Sequence, residues 1–184
     1  MPLRPGRCYR RLKRPYTRTK YIHGAPYAQI PKFEMGATKP KDREKFTDVV
    51  ALFPLVSGQI RVNSLEAARQ MAYKYLSATL TDQNFYLKLA KYPHHVIREN
   101  KMLAMAGADR LQEGMRQSFG VPTGRAVQIK RGDVLFYVEV EAKNVNHAKI
   151  ALKRAMSKLA IPCRMAFAKR GEPLLILGKE EVLA

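Results

Sequence analysis

VLFYVEVEAKNVNHAKIALKRAMSKLAIPCRMAFA, residues 134–168, is the stretch whose reading decides the fold. Val134, Phe136, Val138 and Val140 alternate with Tyr137, Glu139 and Glu141, the two-residue period of a strand with an apolar inner face and the acids facing out. The period then changes. Asn144 is a helix N-cap residue, and Ala148, Ala151, Leu152, Ala155 and Leu159 make one helical stripe, with Lys149, Lys153 and Lys158 on the outer face. The helix must end before Ile161-Pro162, because the residue ahead of a proline is pushed out of the helical region. A second strand carries Met165 and Phe167, and a short apolar run follows at Leu174–Leu177.

The same order stands earlier in the chain. Thr47–Leu55 places Val49, Ala51, Phe53 and Leu55 on one face of a half-buried strand closed by Pro54 and Ser57-Gly58. Asn63 and Glu66 have the spacing of a capping box, and the helix they open runs to about Thr79 with Leu65, Ala68, Ala72, Tyr75, Leu76 and Thr79 along one stripe. Phe85, Leu87 and Leu89 make the next strand, leading to another at Val96–Arg98. Arg125–Lys130, with Val127 and Ile129 alternating, is expected to form a hairpin with Val134–Glu141 over Arg131-Gly132. Strand, helix, strand twice over gives the expected class: α+β, a two-layer sandwich with a mainly antiparallel sheet and two helices on one face.

Two segments fall outside that repeat. The first, residues 1–45, is expected to be a basic arm that orders on RNA. It interleaves Arg4, Arg7, Arg10, Arg11, Lys13, Arg14, Arg18 and Lys20 with Tyr16, Tyr21, Tyr27, Phe33 and several prolines, and lacks apolar periodicity. Guanidinium planes and tyrosine rings suit phosphates and unstacked bases. On this reading, a chain without residues 1–33 keeps a folded body. The second is a loop at about 100–124, which carries Gly107, Gly114, Gly120, Pro122 and Gly124. A loop of that length inside a compact domain is usually functional. Leu103, Met105, Leu111, Met115 and Phe119 have roughly helical spacing, enough for a short amphipathic helix. The body is expected to span 46–171, with a tail at 172–184.

Charge narrows the function. Thirty-four Lys and Arg against fifteen Asp and Glu give +19 at pH 7. Over half of that excess, +10, lies in residues 1–45, where thirteen bases meet three acids. Such an excess costs self-repulsion and fits a polyanionic partner. No run approaches eighteen apolar residues, and the N-terminus has neither a signal-peptide core nor a myristoylation glycine, so no membrane partner is expected. Cys8 and Cys163 are isolated and read as reduced thiols. His94 and His95 are adjacent, so a strand sends them to opposite faces, and no metal site or cofactor is expected. Neither GxxxxGKS/T nor GxGxxG is present, and Glu99, Asp109 and Glu113 fit internal ion pairs better than paired catalytic carboxylates. A non-enzymatic nucleic-acid-binding protein is the reading that remains.

RPGRCYR at Arg4–Arg10, HHVIRENKM at His94–Met102 and AGADRLQEGMRQSFG at Ala106–Gly120 closely resemble the large-subunit ribosomal protein family called L-ten-e in archaea and eukaryotes, counterpart of bacterial L-sixteen. The likeness runs from Arg4 to about Gly171. It implies a structural constituent of the large ribosomal subunit in the cytoplasm, docked on large-subunit rRNA near the aminoacyl-tRNA path among neighbouring ribosomal proteins. It further implies that Arg4 to Lys20, with Tyr21, thread into RNA, and that the loop cations Arg98, Lys101, Arg110, Arg116 and Arg125 line the path of tRNA in the aminoacyl site. A non-ribosomal RNA- or DNA-binding architectural protein is the alternative that the same electrostatics allow.

Overall fold

The strand expected from the alternation at 134–141 forms over Phe136–Val140 and becomes an inner strand of the main sheet. The computed structural model describes residues 4–12, 15–100, 116, 118–171 and 175–176. Its strands are Glu34–Gly36 (β1), Asp48–Pro54 (β2), Gly58–Arg61 (β3), Phe85–Leu89 (β4), His95–Glu99 (β5), Val121–Ile129 (β6), Phe136–Val140 (β7), Cys163–Lys169 (β8) and Leu175–Ile176 (β9). Its α-helices are Pro40–Arg43 (α1), Val62–Leu80 (α2) and Val145–Met156 (α3). Among the described residues the strands form a six-stranded antiparallel sheet, β1-β4-β7-β2-β8-β9, and a three-stranded antiparallel sheet, β3-β6-β5.

Register explains the main core. Met35, Leu87, Val138, Val50 and Phe167 stand side by side across five strands, so one apolar row runs over the face that the helices cover. Onto it α2 lays Leu65, Ala68, Ala72 and Leu76, and α3 lays Ala148, Ala151, Leu152 and Ala155, all fully buried. The alanines let the two helices approach each other closely. Strands of the two β-α-β units interleave as β4-β7-β2-β8, the split arrangement of ferredoxin-like folds. The small sheet adds Ile60, Val127 and Ile129 to the same core.

Several local expectations are corrected. The hairpin across Arg131-Gly132 does not form: β6 pairs with β3 and β5, while β7 pairs with β2 and β4. The turn is real, with Gly132 at φ +88° and Asp133 Oδ2 accepting from Lys130 N at 2.9 Å, but it carries the chain from one sheet into the other. A turn signal fixes a change of direction, not which strand lies alongside. β2 is buried on both faces: Val50 and Leu52 meet the helices, whereas Ala51 and Phe53 lie on the opposite face. Glu139 is also buried, at 6 % exposure. Helix α1 covers that face and sets the Arg43 guanidinium 3.8 Å from the Tyr86 ring centroid and 2.5 Å from Glu139 Oε1. Both α1 and β1 fall within residues 1–45, and β1 is paired to β4.

The capping box is absent as well. α2 starts at Val62 without a side-chain cap, and Glu66 instead binds Arg69 at 2.5 and 2.7 Å and Gln70 at 2.8 Å. Those partners hold its carboxyl below the usual range against the opposing effect of burial. Asn144 does occupy the N-cap position of α3, though its side chain makes no cap bond. Phe119 lies in the turn before β6 and is 71 % exposed, so it is no member of a buried helical stripe. The other residues of that stripe, Leu103, Met105, Leu111 and Met115, lie outside the described residues.

The two faces of β7 give a direct test. Phe136 is fully buried under the helices, whereas Tyr137 is half-buried on the opposite face against Tyr86. Phe136→Ala is expected to cost about 3 to 5 kcal/mol in denaturant unfolding and Tyr137→Ala markedly less. Equal losses would mean the faces are assigned the wrong way round.

Candidate nucleic-acid interface

A three-stranded sheet leaves unpaired backbone groups along both edges. Here the basic arm pairs with both. At the β3 edge, Gln59 N donates to Arg10 O at 2.9 Å. At the β5 edge, Val96 N donates to Thr17 O at 2.9 Å, Thr17 Oγ1 donates to Val96 O at 3.2 Å, and Arg18 forms an antiparallel bridge with His95. Gly58 is required at the first anchor, since a Cβ there would meet Arg10 O at 2.6 Å. Seven residue-to-residue steps link Arg10 to Thr17, a reach of about 24 Å at full extension, against about 19 Å for four strand spacings. The spacing of Arg10 and Thr17 therefore fits the width of the sheet.

Side chains complete the strap. Arg61, Ala126 and His95 stand in register on one face of the small sheet. Tyr9 lies by Arg61, 5.1 Å from guanidinium to ring centroid, and Tyr16 stacks on His95 at 5.6 Å. Ala126 is fully buried beneath them. The arm thus has a place on the body, and removing residues 1–33 would strip both edges and one face of this sheet. The arm is in contact with the body and not separate from it.

The expected site residues divide into anchors and exposed groups. Arg4 pairs with Glu99 at 2.7 Å, and its carbonyl accepts from Arg61 Nη1 at 2.7 Å. Arg7, Arg10 and Arg11 carry exposed side chains. Tyr16 is half exposed; Tyr21 is 68 % exposed, with Arg18 and Lys20 at 5.6 and 4.8 Å from its ring centroid. Arg98 donates to Gly120 O at 3.0 Å and lies 4.4 Å from the Phe119 ring centroid. Arg125 donates to Pro26 O and to Tyr92 Oη at 3.2 Å, tying β6 to the arm. Arg116 is exposed. Lys13, Arg14, Lys101 and Arg110 lie outside the described residues.

Sequence reading counted Tyr27 among the arm's rings but missed Phe119 and Tyr92, which share this surface. Phe119, Tyr27 and Tyr92 are all exposed, and Tyr92 stacks on Phe33 at 5.2 Å and contacts His94 at 4.5 Å. Their signal is aromatic residues beside Pro, Gly or Arg where no apolar period asks for them. Gly120 fixes Phe119: at φ +78°, a Cβ there would come within 2.6 Å of the Glu99 backbone. Cations alternating with exposed rings on a rigid sheet can bind phosphates and stack unpaired bases together. The described buried acids serve the fold, Glu139 through Arg43 and Asp48 through Thr47 Oγ1 at 2.7 Å. Among the described residues no helix is long and apolar enough to cross a membrane.

His95 makes the strap sensitive to pH. Burial holds its imidazole below the ordinary value of 6.5, and Thr17 N donates to Nδ1 at 3.1 Å, an arrangement open only to an unprotonated Nδ1. With the folded-state value depressed, the unfolded chain binds the proton more readily. The contribution is complete above pH 6.5 and is lost as pH falls from there through the folded-state value. Thermal unfolding should therefore show a drop in stability below pH 6.5 that His95→Asn, which keeps an acceptor without titrating, largely removes. A native and variant protein with the same pH profile would contradict this role.

Comparison with known proteins bears on the same surface. The family model described as ribosomal protein L16p/L10e matches residues 11–166. The large ribosomal subunit protein uL16 of Caldivirga maquilingensis is 74 % identical over 170 residues, covering 92 % of this chain and 97 % of the relative. That of Pyrobaculum neutrophilum is 57 % identical over 173 residues, covering 94 % and 95 %, and that of Staphylothermus marinus 54 % identical over 168 residues, covering 91 % and 94 %.

Proposed function

The chain belongs to the ribosomal protein L16p/L10e family and is a non-enzymatic structural constituent of the large ribosomal subunit, and from that premise we propose that it grips rRNA with its strapped arm and helps seat tRNA. Its place in the cell is the cytoplasmic ribosome. The observation that supports the rRNA reading is the arm itself: a sheet-anchored segment whose exposed side chains are Arg7, Arg10, Arg11, Arg18, Lys20 and Tyr21. Arg4 and Tyr16 join them at the surface, with Lys13 and Arg14 next in sequence. In this reading residues 1–45 dock the protein, residues 46–171 form the α+β body, and 172–184 make a tail. Neighbouring ribosomal proteins and rRNA supply the charge that +19 requires.

The finer part of the proposal concerns the segment at about 100–124. Its cations Arg98, Lys101, Arg110, Arg116 and Arg125 are assigned to the path of tRNA entering the aminoacyl site. Arg98 and Arg125 flank it from β5 and β6, two neighbouring strands of the strapped sheet. Asp109 and Glu113 partly offset its charge, so it adds little to docking and is suited to a later step.

Two outcomes are expected. Changing Arg7, Arg10 and Arg11 together to Ala should lower the log-log salt slope of rRNA binding by about 2 to 3, since each phosphate contact contributes about 0.7 to 0.9. An unchanged slope in a salt titration would show that these side chains meet no phosphate. Replacing Met105–Arg116 with a short Gly-Ser linker should leave incorporation into large subunits near normal while slowing dipeptide formation with tRNA in excess. Lost incorporation with normal activity in the few occupied subunits would make the loop an assembly anchor instead.

A further inference from the structure

Between the arm and the small sheet lies a hollow of about 430 Å³, within the size range of small-molecule sites. We propose that it seats one unstacked RNA nucleotide. This rests on the reading that the chain binds rRNA, and adds to it a specific place and ligand class.

Phe119 supplies the platform. Its ring is 71 % exposed, yet it is not left loose: the Arg98 guanidinium lies 4.4 Å from its centroid, and Arg98 is itself held by Gly120 O at 3.0 Å. The close approach of Gly120 to the Glu99 backbone, where no Cβ would fit, fixes the turn that carries the ring. An exposed aromatic held in advance loses little freedom when a base stacks on it. Gln59 brings an amide to the same hollow, suited to the donor and acceptor edges of a base, and Asn100 lines it as well. Arg11 is exposed on the lining and brings positive charge for the phosphate, while Arg4, also on the lining, is paired with Glu99.

The chemistry favours a nucleotide over a peptide side chain. The apolar lining comes chiefly from the rings of Tyr9 and Phe119, with only Pro15 and Val96 aliphatic, and ring, guanidinium and amide groups together are what hold unstacked bases. The hollow is also rigid on its far side, since Val96 and His95 are tied to Thr17 by backbone and side-chain bonds.

The test is an NMR titration of the isotopically labelled full chain with each nucleoside 5′-monophosphate, and separately with inorganic phosphate. Shifts at the Gln59 and Asn100 side-chain amides and at Phe119 are expected with at least one nucleotide and not with phosphate. Phe119→Ala should weaken that binding about five-fold or more, and Ile150→Ala, on the outer face of α3, should not. Equal shifts with inorganic phosphate would make the hollow a simple anion site and overturn the proposal. So would shifts elsewhere only, or an undiminished Phe119→Ala variant. Co-sedimentation of the native chain with large subunits separates the two readings: if it persists while the titration fails, the nucleotide seat alone falls, and if both fail, so does the rRNA reading.

Discussion

Two backbone hydrogen bonds, Gln59 N to Arg10 O and Val96 N to Thr17 O, each 2.9 Å long, are the constraint on which the binding face depends. Each pairs the arm with one edge of a three-stranded sheet that would otherwise present open hydrogen-bonding groups on both sides. An unpaired edge invites aggregation, and an unanchored basic arm must be ordered at the expense of binding. Strapping one to the other removes both costs. The Tyr16–His95 stack, the Tyr9–Arg61 contact and the hollow beside Phe119 all follow from where those two bonds hold the arm.

The strap also organises charge. An excess of +10 in the first 45 residues repels itself, and the strap spaces part of it, Arg7, Arg10, Arg11 and Arg18, along the small sheet, while Arg43 of α1 lies against the main sheet. Among the described residues of the arm, Arg4 meets Glu99, and Arg43 meets Glu139 on the other face of the main sheet. Arg7, Arg10 and Arg11 keep their heads in solvent because the anchoring is done by backbone atoms. Side chains are thereby left exposed, as the proposed rRNA contacts require, in a structural constituent of the large ribosomal subunit.

Periodicity made the main frame legible. Alternation at 85–89 and 136–140 and the alanine-leucine stripes of α2 and α3 name the buried residues nearly one by one. What periodicity could not show was partnership. Val127 and Ile129 have the right alternation for β6, yet nothing local says that β6 joins β3 and β5 in a second sheet instead of pairing with β7. Burial on both faces defeated the reading of β2: the face of Ala51 and Phe53 was expected to be the buried one, but Val50 and Leu52 are buried too, under the helices, and a strand covered on both sides shows no polar alternation to reveal it. Phe119 was misplaced for a related reason: spacing that suits a helical stripe does not reveal a glycine-fixed turn. At the interface, composition pointed to the arm and its arginines, but the division of labour between anchoring carbonyls and exposed guanidinium groups is a matter of tertiary contact. Lys101 and Arg110 of the central loop lie outside the described residues, so their assignment still rests on sequence and family.

Amide hydrogen exchange in the free full-length protein tests the strap most directly. If the arm is fastened before RNA arrives, Gln59 and Val96 should exchange slowly, with protection approaching that of core amides such as Val138. Exchange of both at the rate of an open sheet edge, falling only after RNA is added, would show that the arm is recruited by RNA and that no preformed face exists.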